Sequence, residues 1–149
     1  MDYATAIEDI KAIIFTADIA EATQRVVDYL YDHVDKYNWV GIYIVEGTNL
    51  VLGPWRGKQA TEHMKIPMGR GICGSAAQTG KTEIVSDVSN DERYLACFIS
   101  TRSEIVVPIK KTGQVIGEID IDSDIPNAFD QNDTDFLETI AELLSSYMS

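Results

Sequence analysis

Two cysteines, Cys73 and Cys97, and the acidic pair in Asp120-Ile121-Asp122 are the residues best suited to covalent or proton-transfer chemistry. The cysteines lie far outside the CxxC spacing of metal knuckles and thioredoxin-type redox pairs, so only the fold could bring them together. Taken singly, each reads most simply as a small buried apolar residue. Cys73 has a second reading. It sits in Gly69-Arg70-Gly71-Ile72-Cys73-Gly74-Ser75-Ala76-Ala77-Gln78, which reads as a tight loop passing into a short helix. In the first turn of that helix, unpaired backbone N–H groups favour a thiolate, making Cys73 a credible redox thiol.

Period-two alternation puts Asp120 and Asp122 on one face of a strand, where two acids compete for ionisation and one can hold its proton near neutral pH. Glu104, on the preceding strand of the same expected hairpin, is a third acid able to face that space. From spacing alone the plainer reading is that these carboxylates are water-exposed strand ends. Trp39 and Tyr43 share a face of another strand, with Gly41 between them leaving room for something small or flat. An aromatic wall beside several acids suits a small molecule carrying an ammonium group, although two aromatics in an ordinary core is the plainer reading.

His33 and His63 stand alone, and the chain has no HExxH, no Cys/His cluster and no GxSxG, so neither a metal nor a bound cofactor is expected. Gly69-x-Gly71-x-x-Gly74 fits a dinucleotide loop only by letter, since no parallel βαβ unit surrounds it.

The elements that must position these residues follow from hydrophobic periodicity. Residues 2–17 and 20–36 carry Ile and Val at helical spacing, and Phe129-Asp130 introduces a last helix with Phe136, Leu137, Ile140, Leu143 and Leu144 on one face. A hairpin is expected from Trp39 to Leu52, with Gly53-Pro54 stopping its second strand and an irregular or weakly extended stretch running to Met68. A short strand is expected over 81–88, a loop or helical turn carrying Cys97 over 89–98, and a second hairpin from strands 103–109 and 115–122. The predicted fold is an α+β domain over residues 1–149. It has a central antiparallel sheet, N- and C-terminal helices on one face, and a ligand pocket under loops on the other.

The 149 residues suit one domain, and 24 acidic against 12 basic residues give a formal charge of −12, a field that repels nucleic acid and anionic membranes. The N-terminal segment has acidic residues where a secretory signal needs basic ones, and no apolar run approaches the ~20 residues of a membrane span. A cytoplasmic protein is expected. The amphipathic terminal helices are compatible with a homodimer.

Taken in order, Asn38-Trp39-Val40-Gly41-Ile42-Tyr43, Leu52-Gly53-Pro54-Trp55-Arg56-Gly57-Lys58, Gly69-Arg70-Gly71-Ile72-Cys73-Gly74, Ala96-Cys97, Ser103-Glu104-Ile105-Val106-Val107-Pro108 and Asp120-Ile121-Asp122-Ser123 resemble the motif series of the free methionine-(R)-sulfoxide reductases. These are single-domain GAF proteins, and the likeness covers roughly residues 30–145. It implies a GAF fold, Cys97 as the attacking thiol and Cys73 as the thiol that resolves it. It further implies a substrate pocket of Trp39, Tyr43, Glu104, Asp120 and Asp122, in which the acids also serve the catalytic proton. Free methionine-(R)-sulfoxide would be the substrate and a thioredoxin-type protein the reductant, with no cofactor.

Two positions depart from the family pattern. Thr61 stands where many members carry a third cysteine, which leaves resolution to Cys73 or an outside thiol. Phe98 follows Cys97 where Asp is usual. A GAF module that senses a small ligand without transforming it is the alternative reading of the same residues, and cysteine alkylation separates the two.

Overall fold

The computed structural model describes residues 2–58, 61, 63–94 and 100–148; Cys97 and its neighbours 95–99 lie outside the described residues. The chain opens with α1 (Tyr3–Thr16) and α2 (Ile19–His33) and ends with α4 (Gln131–Ser145). Each starts at an aspartate that accepts from free N–H groups of the first turn: Asp2, Asp18 and, in a reciprocal capping box with Asp133, Asp130. Between them run β1 (Trp39–Glu46), β2 (Asn49–Gly57), β3 (Lys65–Pro67), α3 (Gly71–Thr79), β4 (Glu83–Val85), β5 (Ser103–Lys111) and β6 (Gln114–Ser123).

The strands form one antiparallel sheet in the order β3-β2-β1-β6-β5-β4. Its two faces have different chemistry. Val40, Ile42, Ile105, Val107, Ile109, Ile119 and Ile121 bury against Ile10 and Ile14 of α1, Val26, Val27 and Leu30 of α2, and Leu137, Ile140 and Leu144 of α4. The alternate residues face α3 and the crossing segments, where a smaller cluster gathers Trp39, Tyr43, Ile72, Cys73, Ala76 and Val106. The helix periodicities and both hairpins are those expected.

One expectation fails in the middle of the chain. Gly53-Pro54 does not stop β2, which continues to Gly57. The register shows why: Gly41 pairs with Trp55 while Tyr43 pairs with Leu52, so Gly53 and Pro54 together oppose Ile42 in a bulge. Proline, lacking an N–H, is tolerated there because the ladder is already broken. The stretch expected to be irregular or weakly extended contains the short β3, which adds a strand to the sheet beside Asn49–Val51.

Candidate active site

On the face away from α1, α2 and α4, the register brings three strands into a single polar row. Trp39 of β1 lies opposite Asp122 of β6, Gly41 opposite Asp120, and Tyr43 opposite Glu118. From β5, Glu104 lies opposite Asp122 and Val106 opposite Asp120. Glu104, Glu118, Asp120 and Asp122 are all buried, at 5%, 0%, 5% and 3% exposure. We refer to the four as the acid ladder.

Glu104 shares hydrogen bonds with both Asp120 and Asp122, and Thr101 donates to Asp122 Oδ2 at 3.4 Å. A hydrogen bond between two carboxyl groups requires a proton on one of them. Burial pushes the pKa values of Asp120 and Asp122 up, and for Asp122 the neighbouring Asp120 pushes further. Both effects favour the protonated forms of Asp120 and Asp122 over their carboxylates.

Cys73 enters from the third position of α3. Its Sγ lies within 4.8 Å of carboxylate oxygens of Glu104 and Asp120. Gly74 permits this approach, because a Cβ there would come within 2.7 Å of the Pro67 carbonyl. Tyr43 closes the site from β1, its hydroxyl donating to the His63 carbonyl at 2.7 Å.

Trp39 lies flat along the sheet and stacks on Trp55, with ring centroids 6.3 Å apart and planes 12° apart. A cleft of about 200 Å³ opens between Trp39, Asp122, Thr101 and Lys58. A second cavity, of about 20 Å³, is lined by Tyr43, Cys73, Glu104 and Asp120. The groove of about 820 Å³ at Tyr3, Lys36 and Asp133 is larger but lies on the helical side, and its buried carboxylate is fully hydrogen-bonded.

A family model for the GAF domain matches residues 18–148. The free methionine-R-sulfoxide reductase of Escherichia coli is 37% identical over 115 residues, which cover 76% of this chain and 68% of that protein. The chain belongs to the free methionine-R-sulfoxide reductase family of GAF proteins. The reductase of Neisseria meningitidis, solved in complex with its substrate, superposes with a TM-score of 0.92 at 33% identity, covering 97% of this chain and 87% of that one. The type II reductase of Thermoplasma acidophilum gives 0.82 at 40% identity, covering 87% and 94%.

Of the residues the family resemblance implies, Trp39, Tyr43, Cys73, Glu104, Asp120 and Asp122 occupy one face of the sheet, while Cys97 falls outside the described residues. Two readings made from the residues alone are corrected. The space over Gly41 is not left open: a Cβ there would meet the Trp39 ring at 2.4 Å, and one at Gly57 would meet it at 2.3 Å. These glycines seat the Trp39 indole itself.

Nor does the start of α3 favour a Cys73 thiolate. Burial, followed by the nearby Asp120, Glu118 and Glu104, pushes the thiol pKa well up. Desolvation and negative charge outweigh the partial positive charge of a helix terminus. Cys73, Glu104 and Asp120 are the group of three potential metal ligands found among the described residues, but burial disfavours the thiolate and carboxylate forms of Cys73 and Asp120 that a metal would need. Glu118 and Lys58 were missed as site residues. Alternation from Asp120 would have found Glu118; nothing in the sequence marks Lys58.

Proposed function

We infer that this chain reduces free L-methionine-(R)-sulfoxide to methionine. The observation that carries the reading is the row of buried acids beside a buried thiol and an aromatic wall, in a chain whose family relatives are named for this reaction. A free amino acid is a zwitterion, and the cleft offers both complements. Asp122 in the cleft, with Glu104 hydrogen-bonded to it, can take the ammonium group and Lys58 the carboxylate, while Trp39 packs on the S-methyl end.

In the proposed chemistry the thiolate of Cys97 attacks the sulfoxide sulfur, and one of Glu104, Asp120 and Asp122, as its carboxylic acid, gives its proton to the sulfoxide oxygen. The S–O bond breaks as oxygen passes to Cys97. The products are methionine, a Cys97 sulfenic acid and a ladder carboxylate. Cys73 then displaces the sulfenic hydroxyl as water to form a disulfide, which a thioredoxin-type dithiol reopens. The ammonium and carboxylate contacts explain why a peptide-bound methionine sulfoxide, which lacks both charges, should be a poor substrate.

The test is turnover of the R and S epimers with a thioredoxin reducing system. Wild type should consume only the R epimer. Cys97→Ser should lose all activity, and Cys73→Ser should release one methionine per chain and then stall. Equal turnover of both epimers, or full activity in Cys97→Ser, would refute the scheme.

A further inference from the structure

Glu118 is a buried acid for which the reduction has no use so far. It is 0% exposed, and neither carboxyl oxygen has a hydrogen-bond partner of ordinary geometry among the described residues. A group left in that state calls for an explanation, because burial without a partner costs stability. Its surroundings are defined on each side. Opposite it on β1 is Tyr43, whose hydroxyl is committed to the His63 carbonyl, and on β5 is Pro108, which has no N–H to give. On its own strand the next residue on that face is Asp120. From α3 the Cys73 thiol points at both Glu118 and Asp120. The titratable groups facing Glu118 are therefore Cys73, Asp120 and Tyr43. It lines neither the cleft nor the second cavity, so it stands behind the thiol and away from substrate.

We propose that Glu118 is the general base of the second half-reaction, taking the proton of the Cys73 thiol as Cys73 closes the disulfide with Cys97. The inference rests on the reduction proposed above and adds a step to it. In the first half-reaction the ladder gives one proton to the sulfoxide oxygen and is left one proton short. In the second, the S–H bond of Cys73 breaks and its proton refills the ladder at Glu118. The new thiolate forms the S–S bond, and the sulfenic hydroxyl leaves, taking a proton from solvent to become water. The two thiols lose two electrons, which the sulfoxide has accepted; the dithiol reductant returns them. Burial and then the neighbouring Asp120 push the Glu118 pKa well up, so its carboxylate, once formed, is a strong base. The ordering has a physical logic: the acceptor for the Cys73 proton is created only after substrate has been reduced.

The experiment is a single turnover without reductant. Reduced enzyme is mixed with free methionine-(R)-sulfoxide and quenched over time, and methionine and disulfide are counted separately by mass spectrometry. Wild type should form one methionine and then the disulfide, at a rate varying less than about threefold from pH 6 to 8. Glu118→Gln and Glu118→Leu should still form one methionine but close the disulfide at least about tenfold more slowly. Their rate should also climb about tenfold per pH unit, because hydroxide is the base that remains. The leucine variant removes a buried unpartnered acid, so it provides a folded protein should the amide not.

Disulfide closure at the wild-type rate and pH profile in both variants would overturn the proposal. So would a slowed methionine burst in both, which would place Glu118 in substrate reduction. No methionine from wild type would instead overturn the reduction itself and this step with it.

Discussion

Two buried carboxylate sites, on opposite faces of the same sheet, are handled in opposite ways. On the helical side Asp133, with a fully buried side chain, has every lone pair answered. Its Oδ1 accepts from the hydroxyls of Tyr3 at 2.6 Å and Tyr37 at 2.7 Å, and its Oδ2 from Lys36 Nζ at 2.7 Å and the Asp130 N–H at 3.0 Å. Burial opposes its ionisation, yet Lys36 and the two hydroxyls prevail and hold its pKa below the usual carboxylate range. On the other face, among the described residues, Glu118, Asp120 and Asp122 form no ion pair and leave oxygens without partners, and they have raised pKa values. Donors satisfy the first site so that it can join α1, α2 and α4. The second is left short of donors, which is what keeps protons available.

Exchanging carboxyl for amide should expose that contrast most sharply. Asp122→Asn removes a dissociable proton from the ladder and should lower kcat/KM about a thousandfold, roughly 4 kcal/mol, while leaving the urea midpoint unchanged or higher. Asp133→Asn should do the reverse. It strips the charge from a buried acceptor of four donors and should cost about 3 kcal/mol of stability in urea titration. Its kcat/KM per folded molecule should stay at the wild-type value. Loss of activity from both, or of stability from both, would mean the two sites are not separate in role.

How far the sequence revealed this contrast depended on whether a residue's role lies in its own element. Period-two alternation was enough to pair Asp120 with Asp122, and helical spacing was enough for α1, α2 and α4. The same alternation carried back one step reaches Glu118, so the sequence carries the signal for it. Strand order is different. That β1 lies beside β6, setting Trp39 against Asp122, follows from long-range pairing that no local pattern encodes. The bulge at Gly53-Pro54 was hidden for the same reason, since a proline that ends an isolated strand is tolerated where the partner strand has already slipped. The raised Cys73 pKa was hidden too, because it depends on acids brought from β5 and β6.

Smaller effects should separate the two sites through pH. Asp133 has a depressed folded pKa, so its contribution is present above the unfolded value near ~4 and is lost as pH falls through the folded one. Glu118 has a raised folded pKa, so the unfolded chain releases its proton first and stability falls as pH rises above about 4.5. Glu118→Leu should therefore gain on wild type by up to ~1.4 kcal/mol per pH unit over the rising limb, measured by urea titration from pH 4.5 to 7.

Lys36→Met is the finest of these probes. Lys36 is 31% exposed and its ammonium also donates to the Ala128 carbonyl at 2.6 Å. Solvent screening limits its loss to about 1 kcal/mol at neutral pH, and the three remaining donors keep Asp133 ionised there. The acid side should respond more, because without the ammonium Asp133 protonates at higher pH and acid unfolding should begin earlier. If acid unfolding does not move in Lys36→Met, the hydroxyls and the capping N–H alone hold Asp133 charged. The difference between the two faces would then lie in hydrogen-bond donors and not in a counter-ion.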